Sequence, residues 1–375
     1  MNESNKRLFA LDTFRGATIM LMILVNNPGT WSHIYSPLRH AKWHGCTLTD
    51  LVFPFFLFIM GVAMRFTFEK YEICNKYGPL YKKVFSRSIT IFILGLLLNA
   101  FPFIRQDWDW SSLRILGVLQ RIALVYLFAS IIVIKLDIKG IIKTSTFLLF
   151  GYWLVLYLSG LINGVEPYAL NSNLVLYVDK FILGESHLWT GNGIPFDPEG
   201  LLSTMPAIVT TLIGFLVGTM IKTATDQRDN CQKMAILGSI FIIIGWIWGL
   251  FFPVNKALWT SSYVLFTGGI GILILTSMIW LIDIKKIHKW AKPFIVYGSN
   301  SIFIFVISGI WTKILLNINF NLNGKIISGY SYLYQTIFMP LAIDTNSSLL
   351  FALFHIVIFW IILALMYKKR IFIKV

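Results

Sequence analysis

The chain has 375 residues, of which 57% are hydrophobic, 16% aromatic and only 13% charged, and its mean hydropathy is +0.72. Soluble domains carry about 25% charged residues, so this composition excludes a soluble globular protein and a disordered one. The net charge of +15 would suggest nucleic acid in a soluble protein, but in a membrane protein basic residues first report topology. Three cysteines without CxxC spacing indicate neither a disulfide framework nor a metal knuckle, and we predict no metal site.

Ten apolar runs are long enough to cross a hydrocarbon layer of about 30 Å, which takes roughly 20 helical residues. In chain order they cover residues 14–30, 48–68, 84–103, 113–135, 144–163, 201–222, 234–253, 260–282, 294–316 and 349–367. The sequence therefore predicts an all-α integral membrane protein, a polytopic bundle of about ten transmembrane helices that forms a single domain over residues 1–375. The first run has no small-residue cleavage site, so we expect a retained helix rather than a signal peptide.

The distribution of Lys and Arg predicts the orientation, because the cytoplasmic loops of membrane proteins are enriched in these residues. With the N-terminus inside, 23 of the 32 basic residues lie in cytoplasmic segments, 8 lie outside and Arg121 lies within a span. Both termini are therefore predicted to be cytoplasmic, and nucleic acid is not expected as a partner. The longest loops, 31–47, 164–200 and 317–348, are then on the outer face, which suggests a function carried out there.

The first run contains polar residues at both of its ends. Asp12 and Arg15 can form a structural ion pair on one helix face; alternatively, Arg15 faces an anionic ligand entering from the cytoplasm, because a guanidinium suits phosphate. The run ends in Asn26 and Asn27. Their amides either cap the helix or donate hydrogen bonds to a carbonyl group in a cavity.

His40 lies in the first outer loop, ten residues before Asp50 at the start of the second run. A role as a helix cap would be enough to explain Asp50, since Thr47 precedes it at the spacing of a capping box. A histidine near a carboxylate is also the arrangement of a general base, because imidazole titrates near neutral pH and the carboxylate fixes its tautomer. His44 lies four residues from His40, but the neighbouring glycine and proline argue against a helical zinc pair.

Two arginines, Arg114 and Arg121, open the fourth run. If the run is helical throughout, they lie about 10 Å apart on one face of the helix. Arginines inside a membrane need anionic or carbonyl partners. One interpretation is a structural pairing, and the other is a channel wall for a phosphate-bearing ligand. The candidate acidic partners are Asp50, Asp107 and Asp109.

Further polar and aromatic residues flank the later runs. Asp197 and Glu199 precede the sixth run, where they either cap the helix or contact the hydroxyl groups of a sugar that stacks on Trp189. Lys256 and Trp259 lie at the start of the eighth run, on the same side of the membrane. The amide of Asn300 lies in the ninth run, about one turn from its cytoplasmic end.

Five strings of the sequence occur together in a distinctive order. They are LDTFRG…MLMILVNN, HAKWHGCTLTDLVFPFFLFIMGVAM, RILGVLQRIALVY, FDPEGLLSTMPAI and KALWTSSYVLFTGG. In these strings, from about Leu8 to the region of Asn300, the chain resembles the transmembrane acetyltransferases typified by heparan-alpha-glucosaminide N-acetyltransferase and its bacterial relatives. The resemblance implies the catalytic membrane unit without the large luminal domain of the lysosomal enzyme, located in the inner (plasma) membrane of a bacterium.

The resemblance also implies an activity and a set of catalytic residues. An acetyl group would pass from cytoplasmic acetyl-CoA, the co-substrate, to an amino sugar of the glucosamine type on the outer side. His40 would be the catalytic base or an acetyl carrier, Asp50 would orient it, and Asn26 would donate a hydrogen bond to the developing oxyanion. His44 stands where the family typically has Asn. The acceptor is left open, because an imported or cell-wall amino sugar is as compatible with a bacterial membrane as a heparan-type chain.

Two sets of binding residues complete the prediction. Those expected to bind acetyl-CoA, at the cytoplasmic face and along the fourth and ninth runs, are Arg15, Arg87, Arg114, Gln120, Arg121 and Asn300. Those expected to contact the acceptor are Trp43, Trp189, Asp197, Glu199, Lys256 and Trp259. The bilayer is the other expected partner, and a homodimer is compatible with the sequence.

Two other classes of function also fit parts of the pattern. A secondary transporter of a small polar solute would explain ten helices with intramembrane polar groups, although carriers place their sites near the bilayer midplane. A non-enzymatic membrane scaffold would require neither a ligand nor His40.

Overall fold

The computed structural model describes residues 8–74, 76–102 and 109–373, which form a bundle of helices. The α-helices are α1 (Phe9–Asn26), α2 (Val52–Ile73), α3 (Tyr77–Ala100), α4 (Val118–Lys135), α5 (Ile138–Asn163), α6 (Leu174–Leu183), α7 (Thr204–Thr223), α8 (Gln227–Trp248), α9 (Ser261–Met278), α10 (Lys292–Ser299), α11 (Ser301–Asn317), α12 (Gly329–Leu333) and α13 (Asp344–Lys368). A 3-10 turn, Thr49–Leu51, leads into α2, and a π-helical segment, Ile279–Ile284, extends α9. A hairpin of β1 (Asn319–Leu322) and β2 (Lys325–Ser328) follows α11.

Within the described ranges, nine helices are long and apolar enough to cross a membrane, and the bent pair α10–α11 is a tenth candidate. The nine are α1 to α5, α7 to α9 and α13. The predicted all-α polytopic architecture is therefore confirmed, and the chain is an integral membrane protein. The short helix α6 lies in the loop that was predicted to join the fifth and sixth spans.

The helix α7 lies at the centre of the bundle. Its most apolar stretch is 78% buried, whereas that of α8 is 22% buried and leaves most of its apolar side chains on the outside of the bundle. The helix α7 packs tightly against α2, where a side chain on Gly61 would collide with the carbonyl oxygen of Thr211. Small residues at such contacts let helix backbones approach closely in a membrane.

The prediction that the fourth span is helical from residue 113 is wrong. The helix α4 begins at Val118, and the backbone of Gly117 is fully extended at φ 169° and ψ −175°. The side-chain amide of Asn99 on α3 donates to the carbonyl oxygens of Arg114 and Leu116, at 2.9 and 3.2 Å. These carbonyl groups are satisfied outside a helix, so Arg114 and Arg121 do not share a helix face.

The ninth predicted span is not one continuous helix either. The helices α10 and α11 meet at Asn300 and are bent by 70°. The side chain of Asn300 accepts from the backbone N–H of Ile373 at 2.7 Å and donates to the carbonyl oxygen of Ile371 at 3.0 Å. Asn300 thus lies at the break, rather than within a helix as predicted, and its amide fastens the segment that follows α13.

The β-hairpin lies within residues 317–348, which were predicted to form an outer loop. Its turn is formed by Asn323 and Gly324, both with positive φ, at 52° and 81°. The two strands pair in antiparallel register from Asn319 with Ser328 to Leu322 with Lys325. An Asn-Gly pair is the commonest signal for a two-residue hairpin turn, because both positions need positive φ.

Candidate active site

A cavity of about 370 Å³ lies at the end of the bundle where α1 finishes. We call this end the Asn26 end, and the opposite one, where α1 begins, the Phe9 end. Asn26, His40 and Asp50 all line the cavity. From Asn26 the cavity follows α1 inward to Thr18, eight residues or about 12 Å along the helix axis. This volume lies within the range of ligand sites in proteins, which is about 300–1,000 Å³.

The inner part of the cavity is apolar. Side chains from α1, α2, α4 and α11 form its wall, among them Ile19, Met22, Phe56, Ile122 and Phe305. The polar residues gather at its mouth, on the loops that connect the helices at the Asn26 end. The cavity is thus a hydrophobic limb with a polar mouth, an arrangement typical of sites for small molecules and cofactors.

His40 and Asp50 form a close pair at the mouth of the cavity. The Nδ1 atom of His40 lies 2.6 Å from Oδ1 of Asp50. The His40 side chain is 47% exposed, whereas that of Asp50 is only 2% exposed. We assign the proton of this contact to Nδ1, because an ionised carboxylate only accepts hydrogen bonds. In this tautomer of the neutral ring, the lone pair is on Nε2.

Asp50 also holds the loop that carries His40. Its Oδ2 atom accepts hydrogen bonds from the backbone N–H groups of Ala41 and Thr47, at 3.0 and 3.1 Å. The Thr47 hydroxyl, in turn, donates to the carbonyl oxygen of Arg39 at 2.6 Å. The helix-cap and histidine-partner interpretations of Asp50 therefore both describe contacts that the structure contains.

The two amides at the end of α1 have different surroundings. Asn27 is buried, its Nδ2 atom donates to the carbonyl oxygen of Ile23 at 2.8 Å, and its Oδ1 atom accepts from the Thr312 hydroxyl at 2.9 Å. Asn26 is exposed and lines the cavity. Of the two predicted roles for these amides, Asn27 takes the structural one, and Asn26 is available to a ligand.

Arg114 is paired with two carboxylates across the mouth. Its Nε and a terminal nitrogen bond the two oxygens of Asp197 at 2.8 and 2.7 Å, and the same terminal nitrogen bonds Glu199 at 2.6 Å. Burial opposes the charge, but the two carboxylates outweigh it and raise the pKa of Arg114. The guanidinium also lies over Trp189, 5.9 Å from the ring centroid. These partners differ from those predicted, of which Asp107 lies outside the described residues.

The predicted acceptor contacts divide into two groups. Four of the six line the cavity: Trp43, Trp189, Glu199 and Lys256. The other two lie in the described part of the chain but away from the cavity wall, because Asp197 is enclosed by its pairing with Arg114 and Trp259 is fully buried, with its indole nitrogen 3.2 Å from the Thr210 hydroxyl.

Of the six residues predicted to bind acetyl-CoA, all of them described, Arg114 alone lines this cavity. Arg121 is fully buried in α4 and donates to the carbonyl oxygen of Gly200 at 3.0 Å and to the Ser203 hydroxyl. Gln120 is buried beside it, and the side chain of Asn300 donates to the carbonyl oxygen of Ile371, after α13.

Arg15 and Arg87 lie toward the Phe9 end. The terminal nitrogen of Arg15 pairs with Asp12 at 2.5 Å, as the ion-pair interpretation predicts. The guanidinium of Arg87 lies over the ring of Tyr126, 4.9 Å from its centroid. Neither residue reaches the cavity, so a role for them in binding phosphates stays a prediction.

Most residues of the apolar limb were not among the predicted site residues. Thr18 and Met22 line it, and they precede Asn26 by eight and four residues on the same helix. This spacing places all three on one face of α1, so the periodicity that starts from Asn26 could have identified them. The contribution of α11, through Phe305, has no comparable local signal.

Comparison with known proteins identifies the family. A family model described as heparan-alpha-glucosaminide N-acetyltransferase, catalytic, matches residues 7–245. Heparan-alpha-glucosaminide N-acetyltransferase of Mus musculus is 28% identical, in an alignment that covers 81% of this chain and 53% of the mouse protein. The Homo sapiens enzyme of that name is also 28% identical, with 80% of this chain and 52% of the human protein covered.

The chain therefore spans about half the length of the curated relatives it matches. The matched segment includes the two halves of the His40–Asp50 pair, Asn26, and the Arg114 pairing with Asp197 and Glu199. Since the family model covers more than half of the chain, the family predicted from the five sequence strings is confirmed. This integral membrane protein belongs to the heparan-alpha-glucosaminide N-acetyltransferase catalytic family.

Proposed function

We propose that this protein transfers an acetyl group from acetyl-CoA to the amino group of a glucosamine-type sugar, with His40 as the general base. The observation that carries the proposal is one cavity that brings the His40–Asp50 pair together with Asn26, in a member of this family. We further propose that the protein resides in the plasma membrane of a bacterium, with acetyl-CoA on the cytoplasmic side and the sugar on the outer side.

The geometry of His40 suits proton transfer. Because Nδ1–H donates to Asp50, Nε2 is free to accept a proton from the attacking amine. The amine nitrogen bonds to the thioester carbonyl carbon, and the carbonyl oxygen becomes an oxyanion to which the Asn26 amide donates. One such donor is typically worth about 3 kcal/mol in the transition state. The carbon–sulfur bond then breaks, and the CoA thiolate takes the proton held by His40.

The shape of the cavity supports a division between the two substrates. The apolar limb beside α1 and α11 suits an extended thioester arm, whose reacting end would lie near Asn26 and His40. The mouth, with Trp43, Trp189 and Glu199, suits a sugar, because an indole stacks on its apolar face and a carboxylate bonds its hydroxyl or ammonium groups.

A second route uses the same residues differently. His40 would attack the thioester itself and form an acetyl-histidine, which the amine then cleaves in a ping-pong reaction. A single turnover with labelled acetyl-CoA and no sugar separates the two routes. Acetyl recovered on His40 supports the covalent route, and its absence in fully active protein supports direct transfer.

The function is tested by acetyl transfer from labelled acetyl-CoA to glucosamine with detergent-purified protein. We expect His40→Ala to lower kcat at least 10²-fold, the usual contribution of a general base. The matched control is His44→Ala, four residues away in the same loop and outside the cavity lining, which we expect to change kcat less than threefold.

Two outcomes would overturn the proposal. Equal losses in His40→Ala and His44→Ala would remove His40 from the chemistry. Failure of the wild-type protein to bind acetyl-CoA, measured as the absence of thermal stabilisation, would favour a transporter of a small polar solute instead.

A further inference from the structure

Lys256 makes a contact that its predicted role in binding the sugar does not require. Its ammonium nitrogen lies 3.5 Å from Oδ1 of Asp50, the same oxygen that receives the His40 ring nitrogen. It also lies 3.3 Å from Nδ1 of His40. One carboxylate oxygen is thus shared between an imidazole and an ammonium group.

The loop that carries Lys256 is held firmly to the His40 loop. The backbone N–H of Gly45 donates to the carbonyl oxygen of Val254 at 2.7 Å. The side-chain oxygen of Asn255, just before Lys256, accepts the backbone N–H of Leu258, two residues after Lys256, at 2.8 Å. These bonds fix the backbone on both sides of Lys256, so the loop keeps its side chain within reach of Asp50.

The ammonium group acts on His40 through its charge. Nδ1 of His40 carries the proton given to Asp50, so it cannot also accept a hydrogen bond from Lys256. Protonation of Nε2 would then place a second positive charge on a ring whose Nδ1 atom lies 3.3 Å from the ammonium nitrogen. At the effective dielectric of a partly exposed site, charges this close change a protonation equilibrium by roughly one pH unit or more.

We propose that Lys256 is a positioning residue whose ammonium group, sharing Asp50 with His40, keeps His40 in the neutral form that can accept the proton of the acceptor amine. The inference rests on the proposed function for the role of His40 as base. It differs from the prediction of Lys256 as an acceptor contact, because it assigns the effect to the protonation of His40 rather than to affinity for the sugar.

Other ionisable groups near the pair do not substitute for Lys256. Burial, and secondarily the charge of Asp50, raise the pKa of the Cys46 thiol to about 12, so it is neutral in the working range. Glu199 is engaged by Arg114, and the Tyr263 hydroxyl donates to the backbone oxygen of Asp50. The other basic and imidazole groups nearby are Lys42, which lines the cavity, and His44, whose Nδ1 lies 3.4 Å from the Asn255 amide.

The Lys256 ammonium itself is subject to opposing influences. Burial lowers the pKa of Lys256, while the carboxylates of Asp50 and Glu199 favour its charged form. Its contact with Asp50 therefore favours the charged ammonium group that the proposal requires.

The test measures the protonation of His40 directly. Diethylpyrocarbonate modifies neutral imidazole, and peptide mass mapping of the full-length protein gives its rate at His40 as a function of pH. His33, exposed in the same loop, is the internal reference. We expect Lys256→Met to raise the midpoint of the His40 profile by about one pH unit, and Lys256→Arg to leave it within about 0.3 unit.

The matched control is Lys42→Met, which removes the same charge from the cavity wall without removing a contact to Asp50. We expect it to move the His40 midpoint much less than Lys256→Met does. Lys256→Gln serves as a second neutral variant if the methionine variant does not fold. The acidic limb of kcat/KM for acetyl transfer should move to higher pH with the modification profile, because more of the base is then protonated at a given pH.

Three results would overturn the inference. They are an unchanged His40 midpoint in both neutral variants, equal shifts in Lys42→Met and Lys256→Met, or a rise in KM for the sugar with an unchanged pH profile. Modification needs no turnover. If the wild-type protein does not transfer acetyl groups, the proposed function fails, while the modification profile still shows whether Lys256 controls the protonation of His40.

Discussion

The carboxylate of Asp50 accepts hydrogen bonds on both of its oxygens, and the two sets of donors have different functions. Oδ2 receives the backbone N–H groups of Ala41 and Thr47, which shape the loop before α2. Oδ1 receives the ring of His40 and the nearby ammonium of Lys256. Because one buried group performs both tasks, a substitution at Asp50 would disturb the loop and the histidine together. The more informative variants are therefore those of His40 and Lys256, which leave the Oδ2 contacts in place.

At the same scale, the environment of Asp50 predicts an unreactive thiol at Cys46. Burial and the nearby carboxylate raise the pKa of Cys46 to about 12. At pH 8 about 10⁻⁴ of such a thiol is ionised, compared with roughly a quarter of an ordinary cysteine whose pKa is near 8.5. Since the thiolate is the nucleophile, we expect iodoacetamide at pH 8 to modify the exposed Cys74 well before Cys46.

Peptide mass mapping over time gives both rates in one sample, with Cys74 as the control. The sign of the pH dependence is a second check, because the rate at Cys46 should keep rising through pH 10 without reaching a plateau. Equal rates at pH 8, or a plateau near pH 9, would contradict the raised pKa and leave Cys46 as a candidate nucleophile beside the cavity.

At the scale of elements, the sequence predicted the spans better than their ends. Apolar length alone identifies the helices, because backbone groups inside a membrane must be satisfied within the segment. The start of α4 depends on hydrogen bonds from the distant side chain of Asn99, and the break at Asn300 depends on hydrogen bonds between its amide and the distant backbone of Ile371 and Ile373. No local pattern contains that information. The hairpin at Asn323–Gly324 is different, since the Asn-Gly pair itself predicts a two-residue hairpin turn.

The candidate site divides in the same way. His40 and Asp50 are ten residues apart and belong to one loop and the turn that follows it, so their pairing could be proposed from the sequence. Arg114 and its partner Asp197 are separated by 83 positions, and only the packing of α4 against α7 brings their flanking loops together. Contacts of this kind need the tertiary structure, and so does the apolar limb between α1 and α11.

The contact between α2 and α7 supports a prediction about packing. A Cβ atom on Gly61 would lie 1.9 Å from the carbonyl oxygen of Thr211, which a rigid helix backbone cannot relieve. We expect Gly61→Ala to reduce the free energy of unfolding by about 1–3 kcal/mol, as overpacking does elsewhere. Thermal unfolding in detergent, followed by circular dichroism, measures the difference.

The control is Gly151→Ala in α5, the same substitution in a helix where no atom lies within 4 Å of the added methyl. There we expect unchanged or slightly higher stability, because alanine favours the helix over glycine. Equal melting temperatures for the two variants would mean that α2 and α7 are not packed as closely as described.

At the scale of the whole molecule, charge and chemistry are separated along the bundle. The cavity, with His40 and the Arg114 cluster, lies at the Asn26 end, whereas most of the Lys and Arg residues that the structure describes lie in or near the short connections at the Phe9 end. In membrane proteins, an excess of Lys and Arg marks the loops on the cytoplasmic side. The mouth of the cavity should therefore face away from the cytoplasm, and the thioester arm of the proposed co-substrate would approach along the limb from within the membrane.

Cysteine accessibility in whole cells tests this orientation. In a background without the three native cysteines, Asn323→Cys places a thiol at the exposed tip of the hairpin, and Lys369→Cys places one just beyond α13, also exposed. We expect a membrane-impermeant maleimide to label Asn323→Cys in intact cells and Lys369→Cys only after permeabilisation. Each variant is the control for the other, since both sites are exposed and they lie at opposite ends of the bundle. The reverse pattern would place the His40 cavity on the cytoplasmic side, and acetyl-CoA and the acceptor would then meet without crossing the membrane.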